Sequence, residues 1–334
     1  MRRLSFVVIA IMALPMISGC VTIKVDERTA FAPPKRLLGP ATTVAELDAR
    51  MVDRFKSGVD EGIWQMDSTP DGAFVIVFRE DFPRKQGSVP SPLKLRNGFI
   101  GEGEGRVAWT YYSRYRAEDS PSDENRPLVV HCAGNAGDRY NSGANYAVKA
   151  LPWADVLVFD YPGYGDTPGP TSAVAFESVA RKVSDYVILQ SENRKLVFWG
   201  QSLGGFVCSQ WAADIPTSDG LILETTAPNA TAVAKAWTPN YARLFVRTRV
   251  APSLARYDVV NAAAHVKGPV LVLGAAKDEV LPVALARQVA DGLKSRKANV
   301  TYKEFPNATH MNVPSQADFK SVIGEFFKSV ESNP

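Results

Sequence analysis

A serine lies at the centre of a glycine-flanked pentapeptide, GQSLG, at residues 200–204. The apolar run KLVFW at residues 195–199 comes directly before it and predicts a buried strand, and a helical pattern begins at Leu203. A chain that passes from strand to helix within so few residues must turn sharply, which lifts the side chain of Ser202 clear of the sheet. A serine held there, at a helix N-terminus that favours developing negative charge, is suited to attack a carbonyl carbon.

A serine hydroxyl needs a base to become a good nucleophile. The chain has three histidines, His131, His265 and His310. His131 ends a predicted strand, and His265 lies where a long insertion returns to the sheet. Only His310 follows the last predicted strand and precedes the last predicted helix, which is the base's place when a triad runs in the order serine, acid, histidine. We therefore predict that His310 is the base.

The acid of such a triad should follow a strand and precede His310 in the chain. Asp278 does so, in a loop after the apolar run PVLVL, and an acid there can bond one imidazole nitrogen and fix its tautomer. Glu224, directly after the run GLIL, is the competitor, because the acid can also come from one strand earlier. We favour Asp278 because its loop is longer, and the sequence leaves the choice open.

The loop HCAGNAG at residues 131–137 follows the first predicted parallel strand. Its two glycines bracket small residues, so its backbone N–H groups can point toward one site. We expect an oxyanion hole there, with one donor from Asn135 or Ala136 and the other from the N–H of Leu203, the residue after the nucleophile.

These residues resemble the α/β-hydrolase superfamily, and within it the serine aminopeptidase-like group, whose oxyanion loop reads HGNAG. The resemblance covers roughly residues 70–330, and DYPGYG at residues 160–165 is similar to the family's D-x-x-G-x-G segment. The chain departs from the pattern at Ala133, where that group usually has histidine, and His131 lies two residues earlier. The resemblance implies acyl transfer through Ser202 without a cofactor or a metal.

The elements that must position these groups alternate between buried strands and helices. Apolar runs that suit strands buried on both faces lie at residues 127–132, 155–159, 195–199, 220–223, 269–273 and 299–305. Helical patterns lie at residues 172–190, 203–213, 282–293 and 316–330. Two earlier strands, at 73–78 and 106–112, are expected to be antiparallel. The alternation predicts a doubly wound α/β domain with a mainly parallel sheet. The resemblance implies that this domain, over residues 46–334, has the α/β-hydrolase fold.

Residues 227–265 interrupt this alternation. The stretch is mostly helical in composition and carries Trp237, Tyr241, Leu244 and Phe245. We predict a helical cap insertion over the active end of the sheet, since long insertions are usually functional. One crossover helix with long loops is the alternative.

The N-terminus has the pattern of an export signal over residues 1–19, with Arg2 and Arg3 followed by an apolar run. The string ISGC, ending at Cys20, resembles a bacterial lipobox, which implies a fatty-acyl anchor such as palmitate on Cys20 and a tether over residues 20–45. Val21 in place of Asp favours a periplasm-facing outer-membrane location in a Gram-negative cell. An ordinary cleaved signal or a short retained anchor is the alternative.

Two further cysteines, Cys132 and Cys208, are expected to be buried as small hydrophobic residues rather than paired. The formal net charge is only +3 and no basic stripe with interleaved aromatics is present, which argues against nucleic acid as a partner. The spacing of the cysteines does not suggest a metal site.

Together the motifs predict a serine hydrolase that cleaves an ester, thioester or amide of a small-molecule or lipid-like acyl substrate. The alternative is a non-catalytic envelope lipoprotein that uses the fold as a binding module. The natural substrate and the oligomeric state do not follow from the sequence.

Overall fold

A computed structural model describes residues 21–34, 39–60, 64–69, 72–78, 93–114, 125–242 and 244–333. The predicted signal peptide at 1–19, the predicted lipidation site Cys20 and residues 35–38 of the expected tether lie outside these ranges. Within them, no helix is both long enough and apolar enough to cross a bilayer.

The strands are β1 (Val21–Val25), β2 (Trp64–Ser68), β3 (Phe74–Phe78), β4 (Leu93–Ile100), β5 (Val107–Arg114), β6 (Leu128–Cys132), β7 (Asp155–Phe159), β8 (Leu196–Gln201), β9 (Ser218–Glu224), β10 (Val246–Val250), β11 (Val270–Ala275) and β12 (Val300–Phe305). Most of the described strands form one sheet in the order β12-β11-β9-β8-β6-β7-β5-β4-β3-β2. The strands from β12 to β7 in this order are parallel to their neighbours. The direction changes between β7 and β5, and the neighbours from β7 to β2 are antiparallel. This arrangement confirms the predicted α/β-hydrolase fold with a mainly parallel sheet.

The parallel strands carry the apolar runs that the sequence analysis identified. Every residue of β6, β7, β8 and β11 is buried, as expected for strands covered by helices on both faces. The carboxyl ends of these strands meet at one edge of the sheet, where functional groups of such folds are usually found.

The two early strands of the sequence analysis correspond to β3 and β5. They do not pair with each other, because β4 lies between them and is antiparallel to both. The sequence analysis missed β4, whose sequence LKLRNGFI alternates between apolar and polar residues over only part of the strand. A strand of this kind lacks the continuous apolar run that identifies its neighbours.

The helices are α1 (Glu27–Ala30), α2 (Val44–Asp60), α3 (Ala144–Ala150), α4 (Ala173–Gln190), α5 (Leu203–Asp214), α6 (Ala230–Trp237), α7 (Pro252–Ala255), α8 (Val259–Ala263), α9 (Ala284–Ser295) and α10 (Phe319–Glu331). They cover both faces of the sheet. One apolar cluster joins the sheet to α4, α5, α8 and α9. A second cluster joins it to α2, α3 and α10. The two clusters hold the parallel strands in place below the candidate site.

The insertion at residues 227–265, which the sequence analysis predicted to be a helical cap, contains a strand as well as helices. It contains α6, a short 3-10 turn (Asn240–Ala242), the strand β10, α7 and α8. β10 pairs in parallel with β1 as a separate two-stranded sheet. The pattern VRTRV alternates with a period of two, which is the periodicity of a strand exposed on one face.

The N-terminal segment also differs from the expected tether. β1 pairs with the insertion, and Asp26 caps α1 by accepting hydrogen bonds from the backbone of Arg28 and Thr29. Phe31 is buried against Phe176 of α4, with ring centroids 4.9 Å apart. Residues 21–34 are therefore an arm packed on the domain, because a strand partner and an aromatic pocket are available to them.

Cys132 and Cys208 form a disulfide, which corrects the expectation of two unpaired buried cysteines. Cys132 ends β6, and Cys208 lies in α5, which packs along that strand. Their Cα atoms are 5.8 Å apart, within the range that a disulfide spans. The disulfide links the strand before the predicted oxyanion loop to the helix after Ser202.

Candidate active site

Ser202 occupies a sharp turn between β8 and α5. Its φ is 54°, in the left-handed region that non-glycine residues rarely adopt, and the residue is 9% exposed. The N–H of Ser202 donates to the carbonyl of Glu224 at 2.9 Å, and the carbonyl of Ser202 accepts from Thr226 Oγ1 at 2.8 Å. Backbone strain of this kind persists where surrounding bonds hold it, and it is common at functional sites.

The glycines beside Ser202 allow β8, α5 and β6 to approach closely. A Cβ on Gly200 would lie 2.3 Å from the carbonyl oxygen of Gly204, and a Cβ on Gly204 would lie 1.9 Å from the carbonyl oxygen of Cys132. Neither position has room for a side chain. The GQSLG sequence is thus explained by packing around the turn as well as by the turn itself.

His310 and Asp278, the predicted base and acid, are in contact. His310 Nδ1 donates to Asp278 Oδ2 at 2.8 Å, and both side chains are almost fully buried. The other carboxylate oxygen of Asp278 accepts from the N–H groups of Val280 and Leu281 at 2.9 and 2.7 Å. The acid is therefore fixed by its own loop, and its free direction is toward the imidazole.

The loop of His310 lies beside the Ser202 turn. Gln201, the residue before the serine, donates from Nε2 to the carbonyl oxygen of His310 at 3.4 Å. Thr225, after β9, donates to the same oxygen from Oγ1 at 3.5 Å. These two bonds bring the base to the nucleophile's side of the sheet. The sequence analysis missed Gln201 and Thr225, although each lies two residues after a predicted apolar strand.

Glu224, the competing acid, has different partners. Its Oε1 accepts from the hydroxyl of Tyr146 at 2.7 Å and its Oε2 from Trp199 Nε1 at 3.1 Å. Burial raises the pKa of this carboxyl to about 7, although those two hydrogen bonds act in the opposite direction. No hydrogen bond joins Glu224 to His310 in the described part of the chain.

The predicted oxyanion loop lies against the serine turn, since a Cβ on Gly134 would come within 2.1 Å of Gln201 Oε1. The side chain of Asn135 faces away from the serine turn, toward the N-terminal arm. Its amide donates to the carbonyl of Ala30 and its oxygen accepts from the N–H of Ala32, each at 2.8 Å. Any oxyanion donor in this loop must therefore be a backbone N–H.

Leu203, the second predicted donor, is the first residue of α5. The N–H groups of a helix's first turn have no partner within the helix. That of Leu203 is therefore available at the positive end of the helix dipole.

The DYPGYG segment bonds to a residue that follows the predicted oxyanion loop. Asp160 is buried and accepts hydrogen bonds from the backbone N–H and Nε of Arg139, two residues after the loop ends. Burial raises the pKa of Asp160 to about 6, and the guanidinium of Arg139 opposes the increase. Arg139 also pairs with Asp166 at 2.6 Å. The resemblance in this segment therefore reflects a buried ionic network that positions the oxyanion loop.

The other two histidines lie elsewhere. His131 is buried and stacks on Tyr146 with ring centroids 4.4 Å apart, and burial lowers its pKa to about 3. His265 is exposed, and its Nδ1 lies 2.8 Å from the carbonyl oxygen of Asn261. Across the residues that the structure describes, no cluster of His, Cys, Asp or Glu is arranged to hold a metal ion.

Comparisons with known sequences agree with this architecture. A family model described as the alpha/beta hydrolase fold matches residues 127–257. An uncharacterised protein of Mycobacterium tuberculosis is 31% identical over 200 residues, which cover 59% of this chain and 67% of that protein. The lysophosphatidylserine lipase ABHD12 of Rattus norvegicus is 27% identical over 179 residues, which cover 49% of this chain. The match spans less than half of that lipase, 45% of its length.

Solved structures of hydrolases share the fold. The Pyrococcus furiosus esterase Pf2001 aligns with a TM-score of 0.50 and 14% identity over 89% of this chain and 97% of that one. A puromycin-hydrolysing peptidase of Mycobacterium tuberculosis aligns with a TM-score of 0.54 and 16% identity over 81% of this chain and 45% of that one. The family model, the sequence relatives and the sheet topology agree, and the chain belongs to the α/β-hydrolase superfamily.

Proposed function

We propose that this chain is a serine hydrolase in which Ser202 attacks the carbonyl carbon of an ester, thioester or amide. The observation that carries the proposal is the 2.8 Å hydrogen bond between His310 Nδ1 and Asp278 Oδ2, beside a serine with positive φ. That bond fixes the tautomer of the imidazole, so that Nε2 is the nitrogen that takes the serine proton.

The proposed reaction has two halves. In the first, His310 Nε2 takes the proton of Ser202 Oγ as that oxygen bonds to the carbonyl carbon. The N–H of Leu203 and that of Asn135 or Ala136 stabilise the oxyanion. The bond to the leaving group then breaks, the leaving group takes the proton from His310, and an acyl ester remains on Ser202.

In the second half, His310 takes a proton from water as the water oxygen attacks the acyl carbon. The bond to Ser202 Oγ breaks, the serine regains the proton, and the carboxylic acid leaves. The scheme needs no cofactor and no metal, since the imidazole moves each proton and the N–H groups stabilise each oxyanion.

We propose a lipid-like acyl ester as the substrate class. The supporting observation is the similarity to ABHD12, a protein named as a lysophosphatidylserine lipase, which extends over 49% of this chain. We also retain the proposal that a lipid anchor on Cys20 holds the protein in the cell envelope, facing the periplasm. The strand β1 begins at Val21, directly after Cys20, so a lipid on Cys20 would lie next to the folded domain.

The test is the turnover of a short, water-soluble acyl ester by purified Ser202→Ala. Loss of the nucleophile should reduce turnover by about 10⁴-fold or more, without a change in thermal stability. Ser209→Ala is the matched control, because Ser209 is a buried serine of α5, the helix that follows Ser202, and its hydroxyl donates to the carbonyl of Phe206. It should keep full activity.

Unchanged turnover in folded Ser202→Ala would remove this serine from the mechanism. A wild-type protein without activity on esters, thioesters and amides would instead favour the non-catalytic binding module.

A further inference from the structure

The insertion exposes four large apolar side chains within nine residues of sequence. Trp237, Tyr241, Leu244 and Phe245, here called the aromatic edge, are 47, 67, 80 and 65% exposed. Single exposed apolar residues are ordinary, but a local group of this size marks an interaction surface. Trp and Tyr together are typical of the water–lipid boundary, where one part of each ring is apolar and the other is polar.

A basic surface continues from the aromatic edge. Phe245 is followed directly by β10, which pairs in parallel with β1, so that Arg247 lies beside Thr22 and Arg249 beside Lys24. Paired residues of neighbouring strands point to the same face, and all four of these residues are exposed. Lys24, Arg247 and Arg249, here called the cationic face, form no ion pair with any residue that the structure describes.

The first residues that the structure describes lie at this surface. Val21, the first described residue, pairs with Val246, the residue after Phe245. The twenty residues before Val21 include the apolar run at 4–16 and Cys20. A membrane attachment at Cys20, directly before Val21, would therefore hold the aromatic edge and the cationic face close to the bilayer.

The aromatic edge is also connected to the rim of the candidate active site. Trp237 Nε1 donates to the carbonyl of Val280 at 2.7 Å, two residues from Asp278. Met311, the neighbour of His310, is exposed. A bilayer that contacts Trp237 would therefore lie near the loop that holds Asp278.

We propose that the aromatic edge and the cationic face form a docking surface for a bilayer that contains anionic phospholipid. Apolar side chains insert at the level of the headgroups, and the three cations contact lipid phosphates. A second copy of the chain is a poorer occupant, because a two-fold contact centred on the cationic face would bring Lys24, Arg247 and Arg249 close to the same three cations of the other copy. Delivery of a membrane-resident ester to Ser202 is a consequence that rests on the proposed function.

The test uses the full lipidated chain in vesicles, with an environment-sensitive fluorophore on Leu244→Cys. Leu189→Cys is the matched control, since Leu189 is an exposed leucine near the end of α4. Cys132 and Cys208 are in the disulfide, and labelled wild type gives the background from any unmodified Cys20. In phosphatidylcholine vesicles that contain phosphatidylglycerol, we expect a blue shift at position 244 and quenching by a lipid-borne quencher. Position 189 should remain in water.

The cationic face is tested by combining Lys24→Gln, Arg247→Gln and Arg249→Gln in the Leu244→Cys protein. Quenching in anionic vesicles should fall to the level measured in phosphatidylcholine alone, while turnover of a soluble ester stays at the wild-type value. That ester assay separates the two proposals, because docking is read from the fluorophore and catalysis from the ester.

Equal responses at positions 244 and 189 in both kinds of vesicle would overturn the proposal. A fluorophore at 244 that is already shielded without lipid, in a protein that sediments as a dimer, would also overturn it and would assign the surface to self-association.

Discussion

At the scale of single residues, two carboxyl groups follow neighbouring strands of the sheet and differ in their surroundings. Asp278 is held by two backbone N–H groups and faces His310, whereas Glu224 faces Tyr146 and Trp199 among apolar side chains. Their positions in the sequence did not decide between them, because each follows a predicted strand. The choice of acid depends on which side chain the fold places opposite each carboxyl group, and that is a property of the tertiary structure.

Substitution of each acid by its amide should separate their roles. Asp278→Asn should lower turnover of a short acyl ester by about 10⁴-fold, because the imidazole loses the partner that fixes its tautomer. Glu224→Gln should lower it by less than about tenfold. Both are measured on the same ester, with thermal melts to verify folding, and the reverse order of effects would contradict the assignment of Asp278.

The raised pKa of Glu224 predicts how stability depends on pH. Burial raises it from 4.5 to about 7, so the folded protein binds this proton more tightly than the unfolded chain does. The resulting stabilisation is complete below the unfolded pKa and is lost as the pH rises through about 7. Between pH 5 and pH 8 the wild type should therefore lose on the order of a few degrees more in Tm than Glu224→Gln, which resembles the protonated form. Parallel curves for the two proteins would contradict this origin.

At the scale of elements, the buried parallel strands could be predicted because each is a continuous apolar run between turn residues. β7 was predicted to the residue, and β6, β8 and β11 within one or two residues at each end. The arm and the insertion could not be predicted in this way. β1 and β10 are short, half-exposed and stabilised by each other across more than two hundred residues of sequence. The alternation in the five residues VRTRV is too short to identify a strand by itself.

The disulfide also belongs to this scale, since it joins two elements on which the site depends. Cys132→Ala combined with Cys208→Ala should lower the free energy of unfolding by about 2–4 kcal/mol, because the loop that the disulfide closes no longer restricts the unfolded chain. Urea unfolding measures the loss. A reducing agent should destabilise the wild type by a similar amount and leave the double variant unchanged. Equal stability of the two oxidised proteins would contradict the prediction.

At the scale of the whole molecule, the resemblance to the α/β-hydrolase superfamily fixed the architecture and the positions of Ser202 and His310 in the chain. Substrate choice was not accessible, because the motifs carry no information on the acyl group or the leaving group. The side-chain bonds of Asn135 to Ala30 and Ala32 connect the arm to the oxyanion loop. The N-terminal arm is thus hydrogen-bonded to the predicted oxyanion loop.

The anchor itself makes a prediction at this scale. Cys20→Ala removes the only acceptor for the proposed lipid, so the protein should move from the detergent phase to the aqueous phase on phase separation. Contacts through the aromatic edge and the cationic face are reversible and sensitive to salt, and do not replace a covalent lipid. A variant that still partitions as the wild type does, after a high-salt wash, would contradict the lipobox interpretation.

The central claim, that Ser202 is an activated nucleophile, is tested most directly by reaction with a fluorophosphonate followed by mass spectrometry of the peptides. The proposed triad predicts one adduct per chain, on Ser202, and a rate that falls steeply in His310→Ala because the base is lost. The absence of an adduct in protein that circular dichroism reports as folded, or an adduct on another serine with Ser202 unmodified, would contradict the account.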